Sequence, residues 1–156
     1  MSKVEKKKGS LQKKFKSLGV SSANSKINYD KPSATILETF ANPFSIKSEN
    51  RANATGDIYI EATEFTTLCP ITRQPDFGTI KVDYRPDKLC LESKSFKLYL
   101  MSFRMSSTFH ESAVTKIAND LIKLLDPISI RVEGDFSMRG GIAFRPVASW
   151  SKEGKT

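Results

Sequence analysis

The order of hydrophobic periodicities along this 156-residue chain predicts an α+β domain, an antiparallel sheet covered on one face by two helices. Three observations carry that prediction. Apolar residues alternate at period two before residue 92, recur at helical spacing between 96 and 125, and alternate again after Pro127. Strands, then two helices, then strands is a segregated order, and no internal repeat interrupts it.

The first strand is expected over Asp57–Phe65, where Ile58, Ile60 and Ala62 share one face and Tyr59 and Glu61 the other. Gly78–Arg85 alternates through Ile80, Val82 and Tyr84 until Pro86, which cannot donate to a ladder, ends it. Leu89–Leu91 reads as a short strand. Phe96, Tyr99, Leu100 and Phe103 then fall at i, i+3, i+4, i+7, the spacing of a helix face. For the second helix, Ser106-Ser107-Thr108 offers caps, and Val114, Ile117, Ala118, Leu121 and Leu125 form an apolar stripe that stops before Pro127. Ile128–Phe136 alternates once more, and Gly141–Ser149 is expected as one last strand after Arg139-Gly140-Gly141.

A chain of this size suits one core, and ten Phe within 38% hydrophobic residues supply it without disulfides. No window approaches the roughly 18 uninterrupted apolar residues of a spanning helix. The lysines at 6–8 are not followed by the apolar stretch of a secretory signal, so a soluble cytoplasmic protein is expected. Two cysteines and a single histidine are too few for a four-ligand zinc site or for most zinc enzymes.

The formal charge of +8 invites a nucleic-acid reading, but its distribution argues against one. Residues 1–31 hold nine Lys against Glu5 and Asp30, leaving 16 bases and 15 acids in the rest of the chain. The expected organisation is therefore a basic, disordered arm over 1–33, a domain over 34–150 and a tail over 151–156. The folded part is nearly neutral, and its function rests on specific residues.

Three segments carry chemistry. In Phe65–Gly78 a thiol, Cys69, and a carboxylate, Asp76, lie seven residues apart in a connection bracketed by Pro70 and Pro75. A thiol held in such a loop is placed for nucleophilic attack, and a nearby carboxylate can exchange protons with it; the alternative is a small buried hydrophobe. Cys90, between Leu89 and Leu91, reads as core packing. In the second segment, Glu92–Tyr99, Glu92 stands where strand passes to helix. Lys94 and Lys97 there are i, i+3 neighbours able to converge on a phosphate, or simply a solvated face. The third is His110-Glu111 at the start of the second helix. Its imidazole can polarise a substrate and its carboxylate can accept a pair of purine-like N–H bonds, although a structural histidine is the plainer reading.

Together and in this order, the segments resemble the NADPH-dependent 7-cyano-7-deazaguanine reductases, nitrile reductases of the queuosine pathway. Residues 92–99, ESKSFKLY, satisfy the family signature Glu-(Ser/Leu)-Lys-(Ser/Ala)-hydrophobe-Lys-(Leu/Tyr)-aromatic. The Cys-Pro and Pro-Asp-Phe pair before it, His-Glu after it and Arg-Gly-Gly near the end fit as well. The resemblance covers roughly residues 34–150, in the short single-module form, and leaves the Lys-rich N-terminus outside the pattern.

The resemblance implies the tunnelling fold, with strand pairs flanking two helices and subunits joined side by side into a barrel. It also implies a homo-oligomer, two stacked pentamers with active sites between subunits. It implies reduction of the nitrile to a primary amine through a thioimidate on Cys69, with Asp76 moving the proton, His110 assisting, and two NADPH per turnover without a metal. Glu111 would anchor the deazaguanine N–H edge, with Leu91, Glu92, Ser93 and His110 adding contacts. No strand–GxGxxG–helix unit is present, so Lys94, Lys97 and Arg139 are the implied phosphate contacts, with Gly140-Gly141 allowing close approach. Neither direct tRNA binding nor a membrane is expected. Two alternatives compete: a zinc-dependent cyclohydrolase of the same fold, which a single histidine disfavours, and a non-catalytic RNA-binding module using the N-terminal lysines.

Overall fold

The computed structural model of the chain describes residues 27–45 and 54–154. Most of the segment expected as a basic arm lies outside them. The elements are β1 (Thr39–Ala41), β2 (Ile58–Leu68), β3 (Pro75–Arg85), β4 (Leu89–Leu91), helix α1 (Ser93–Met101), helix α2 (His110–Leu125), β5 (Ser129–Arg139), β6 (Ile142–Phe144) and β7 (Val147–Ser151), with short 3-10 turns at Ala34–Ile36 and Pro43–Ser45.

Among the described residues the strands form two antiparallel sheets. In the larger, β3 lies between β2 and β5, and the far side of β5 is shared by β6 at one end and β7 at the other. In the smaller, β1 pairs with β4, placing Phe40 opposite Cys90. The period-two pattern decides which face is buried. Ile80, Val82 and Tyr84 of β3 and Ile130, Val132 and Phe136 of β5 point into one core with Phe96, Tyr99 and Phe103 from the α1 region and Val114, Ile117 and Leu121 from α2. Both helices therefore cover the same face. The opposite face carries Lys81, Arg131, Glu133, Asp135 and Arg145 in ion pairs, including Lys81 with Asp135 at 3.4 Å and Arg145 with Asp135 at 2.7 Å.

Gly134 explains how closely α2 approaches the sheet. A Cβ there would stand 2.8 Å from Val114 Cγ2 and 2.6 Å from the Phe136 ring, so only glycine leaves room for the helix. The C-terminus of α2 ends at Asp126, which takes the left-handed conformation at φ 43° and donates its N–H to Ile122 before Pro127. No helix among the described residues is long and apolar enough to cross a membrane.

Several boundaries differ from the sequence expectation. Strands β2 and β3 extend into the supposed loop, so Asp76 sits within a strand and only 69–74 turns between them. Ser106-Ser107-Thr108 does not cap α2, whose N-cap Phe109 makes no side-chain cap bond. That segment instead pairs with the end of β2: Leu68 donates to the Ser106 carbonyl at 3.0 Å and Thr108 donates to the Leu68 carbonyl at 3.1 Å. The single last strand is two, broken around Arg145-Pro146, and β7 continues to Ser151.

Candidate active site

The turn 69–74 is closed by its own backbone. Cys69 N–H donates to the Gln74 carbonyl at 2.8 Å, and Arg73, at φ 61°, donates to the Cys69 carbonyl at 2.9 Å. This curl aims the N–H groups of Ile71 and Thr72 and the Thr72 hydroxyl at the Cys69 sulfur. The Thr72 hydroxyl, those two amides and the Arg139 guanidinium stabilise the thiolate against a smaller opposing effect of burial, lowering the thiol pKa to about 7. Cys69 is half-buried, whereas Cys90 is fully buried and its thiol is pushed up by that burial.

Cys69 lines a cleft of 370 Å³ together with Asp76, Phe109, His110, Glu111, Arg139 and Phe144. Each element delivers its residue for a local reason. The pairing of residues 106–108 with Leu68 sets the first turn of α2, with His110 and Glu111, beside the end of β2. The two-residue connection between β5 and β6, Gly140-Gly141 at φ 56° and 79°, is the positive-φ hairpin that glycine favours, and it holds Arg139 opposite Ile142. Hairpin geometry therefore accounts for these glycines within the chain; a Cβ on Gly140 would meet nothing within 4 Å.

Asp76 is 5% exposed and is the buried charge of the site. Its Oδ2 lies 3.2 Å from His110 Nε2, and its Oδ1 forms an ion pair with Arg139. Buried carboxylates need such partners, because an unpaired charge away from water is costly. His110 stacks face to face on Phe136, with ring centroids 3.7 Å apart and planes 6° from parallel. Burial pushes the imidazole below its ordinary pKa, against an upward pull from Glu111, and this favours the neutral ring near neutral pH. The arrangement offers a thiol shifted toward its anion, a buried carboxylate, an imidazole biased toward its neutral form and an exposed second carboxylate. That set suits covalent addition with proton transfer.

Of the residues singled out in the sequence, the cleft gathers Cys69, Asp76, His110, Glu111 and Arg139. It does not gather those of the 91–97 segment. Leu91 is buried, and the Glu92 carboxylate caps α1, accepting from the N–H groups of Lys94 at 2.9 Å and Ser95 at 2.7 Å. Ser93 and Lys97 instead line a separate 540 Å³ groove between β2 and α1, with Glu61, Glu64, Phe96 and Arg104. Two contributors are not evident from the sequence. Thr72 as a thiol donor was signalled only by a hydroxyl in the turn after Cys69. The Phe136 stack depended on a register set by the whole sheet.

A family profile described as QueF-like protein matches residues 75–155. The NADPH-dependent 7-cyano-7-deazaguanine reductase of Helicobacter pylori strain HPAG1 is 47% identical over 116 residues, 74% of this chain and 74% of that protein. The enzyme of that name from Bacillus licheniformis is 48% identical over 124 residues, 78% of this chain and 70% of that protein. Among solved structures, the archaeosine synthase QueF-Like in its apo form aligns with a TM-score of 0.54 at 20% identity, covering 64% of this chain and 95% of that one. This last likeness bears on the fold alone. With the thiol cleft and sequence identity near one half over three quarters of its length, the chain belongs to the QueF-like family of NADPH-dependent 7-cyano-7-deazaguanine reductases.

Proposed function

We propose that this chain reduces the nitrile of 7-cyano-7-deazaguanine to the primary amine 7-aminomethyl-7-deazaguanine at the Cys69 cleft, in queuosine biosynthesis for tRNA modification. The observation that carries the mechanism is the cleft itself, where a thiol shifted toward its anion shares a wall with a buried carboxylate. A nitrile carbon is a weak hydride acceptor, and a covalent detour makes it a stronger one.

In this reading Cys69 Sγ bonds to the nitrile carbon. Its proton passes to Asp76 and from there to the nitrogen, so the triple bond becomes the C=N of a thioimidate. NADPH, when bound, supplies the hydride, and the conversion of nitrile to amine takes two. After the first reduction the C–S bond breaks, the electron pair returns to Cys69 as thiolate and the carbon is left as an imine for the second. Asp76 and His110 hold and return the protons at nitrogen. Glu111, exposed at the cleft wall, accepts N–H bonds from the deazaguanine edge.

Two cations of the second groove are the candidates for the phosphates of the dinucleotide, with Glu61 and Glu64 of the same lining offsetting their charge. Lys97 and Arg104 place cations beside Ser93 at the start of α1, over a floor containing Phe96 and Leu100. Lys94 belongs to the same helix turn, while Arg139 lines the thiol cleft and Gly140 follows it in the β5–β6 hairpin. The groove and the cleft lie apart on one chain. That supports a homo-oligomer of the tunnelling fold in which the 91–97 segment of one subunit completes the cleft of another; two stacked pentamers are what the family resemblance implies. Apart from Leu68, whose outer edge is taken by residues 106–108, strand β2 pairs only with β3 among the described residues, leaving an edge for such a neighbour.

The test is NADPH consumption followed spectroscopically with purified protein. Oxidation that depends on added 7-cyano-7-deazaguanine, with two NADPH per amine formed, supports the reading. Absence of nitrile-dependent consumption would reject it.

A further inference from the structure

Four residues stand in one row across the larger sheet. Phe65 on β2 opposes Gly78 on β3, Gly78 opposes Phe136 on β5, and Phe136 opposes Phe144 on β6. Opposed residues of antiparallel strands project from the same face, so the three rings share the side that carries α2. Glycine lets the row close up. A Cβ on Gly78 would stand 3.0 Å from Phe136 Cδ1, and Phe65 meets Phe136 edge-on across it with ring centroids 6.3 Å apart.

The row is core at one end and not at the other. Phe65 and Phe136 are 2% and 3% exposed, whereas Phe144 is 43% exposed. Phe144 therefore adds little to the core, and its ring packs beside His110, centroids 5.9 Å apart with planes at 50°. With Phe136 stacked flat on the same imidazole, the two phenylalanines make a floor and a side wall. A bulge in β5 turns that wall toward the cleft: the register shifts between Phe136 and Arg139, and Arg139, Ile142 and Phe144 all line the thiol cleft with His110. The titratable and charged groups facing the imidazole come from every element around it. They are Asp76 on β3, 3.2 Å from Nε2, Cys69 in the turn, Arg139 on β5 and Glu111 on α2 itself. The contact at Nε2 alone leaves the ring free to tilt about it, and two aromatic surfaces fix its plane.

We propose that Phe144 is a positioning residue for His110: its ring walls the imidazole in over the Phe136 floor, keeps water from that side and holds Nε2 on the Asp76 carboxylate. The catalytic consequence rests on the reductase reading; the packing of the rings does not. Burial is the leading cause that holds the imidazole below its ordinary pKa, and Phe144 supplies part of it. Opening that side admits water and favours the imidazolium. It also lets the ring leave the orientation in which it can pass a proton toward Asp76 and the substrate nitrogen.

The test compares Phe144→Ala, which removes the wall, with Phe144→Leu, which keeps apolar cover, in untagged protein where His110 is the sole histidine. Exchange of its carbon-bound ring hydrogen for deuterium, read by mass spectrometry of the His110 peptide across pH, gives the titration midpoint in any oligomeric state. NADPH consumption gives kcat and KM for the nitrile over the same range. In Phe144→Ala the midpoint should move up, toward the roughly 6.5 of a free imidazole, and the acid limb of kcat/KM should move with it. Its kcat near neutral pH should fall about tenfold with a smaller change in KM. Phe144→Leu should keep a midpoint near wild type and most of kcat. An unchanged or lowered midpoint in Phe144→Ala would overturn the proposal, and so would equal shifts in the two variants. A raised KM with an unmoved midpoint would make Phe144 a wall for the substrate instead, and a moved midpoint with wild-type kcat and pH profile would remove its positioning role. If wild-type protein does not reduce the nitrile, the reductase reading fails by itself, and the exchange profile still decides whether Phe144 covers His110.

Discussion

The Nε2 of His110 lies 3.2 Å from Oδ2 of Asp76, joining the first residue of a helix to the second residue of a strand 34 positions earlier. That contact exists because residues 106–108 pair with the end of β2 and because Gly134 lets α2 settle onto the sheet. Without either, the imidazole and the carboxylate would be unrelated surface groups.

Cys69 should titrate near pH 7. Alkylation by iodoacetamide, followed by mass spectrometry of the Cys69 peptide, should give a rate profile with a midpoint there, while buried Cys90 stays unlabelled in folded protein. Thr72→Val removes the leading stabiliser of the thiolate and Arg139→Gln a lesser one, so each should move the midpoint upward, by about half a unit to one unit. A midpoint near 8.5 in the wild type would mean that the turn does not activate the thiol.

For Asp76, replacement by Asn keeps the shape but cannot carry the proton. Turnover should drop by about 10²- to 10⁴-fold while affinity for the nitrile, measured by calorimetry, is largely retained. Turnover at the wild-type level would remove Asp76 from the proton path.

Glu92 tests a structural role against a binding one. Because its carboxylate accepts from the N–H groups of Lys94 and Ser95, Glu92→Ala should lower unfolding free energy by about 1 kcal/mol in denaturant melts. Glu92→Asp, a good cap, should recover part of that loss. Unchanged stability in Glu92→Ala would show that the cap is dispensable and return the carboxylate to the ligand.

His110 predicts the sign of an acid effect. Burial lowers its pKa in the folded state below the unfolded value near 6.5, so the unfolded chain binds more protons between the two. Its contribution is full above that unfolded pKa and is lost as pH falls toward the folded one. His110→Gln should therefore lose less stability than wild type as pH falls below about 6.5 in melts at matched salt. A steeper loss in the variant would mean that the native state favours the imidazolium.

Much of this was legible in the sequence, for reasons that particular residues make plain. The alternation through Ile80, Val82 and Tyr84 and the stripe from Val114 to Leu125 marked core-facing sides correctly, since burial of one face is what period selects. Strand β1 leaves no mark in the sequence because Thr39–Ala41 is too short to show a period and exists only through its pairing with β4. Ser106-Ser107-Thr108 looked like caps, but cap chemistry competes with backbone pairing, and the carbonyl and N–H of Leu68 won. Residue type and resemblance point to the cleft residues, whereas Thr72, Phe136 and the Arg139–Asp76 ion pair depend on the turn and the sheet register. Nothing local to Glu92 distinguishes a helix cap from a ligand contact; its two N–H partners do.

Intact-protein mass spectrometry tests the central claim most directly. Protein incubated with 7-cyano-7-deazaguanine in the absence of NADPH should gain the mass of one substrate per chain, localised to Cys69 by peptide mapping and absent from Cys69→Ala. Addition of NADPH should discharge it as the amine. An unmodified wild-type protein under conditions where it turns over, or an adduct that survives in Cys69→Ala, would contradict attack by this sulfur.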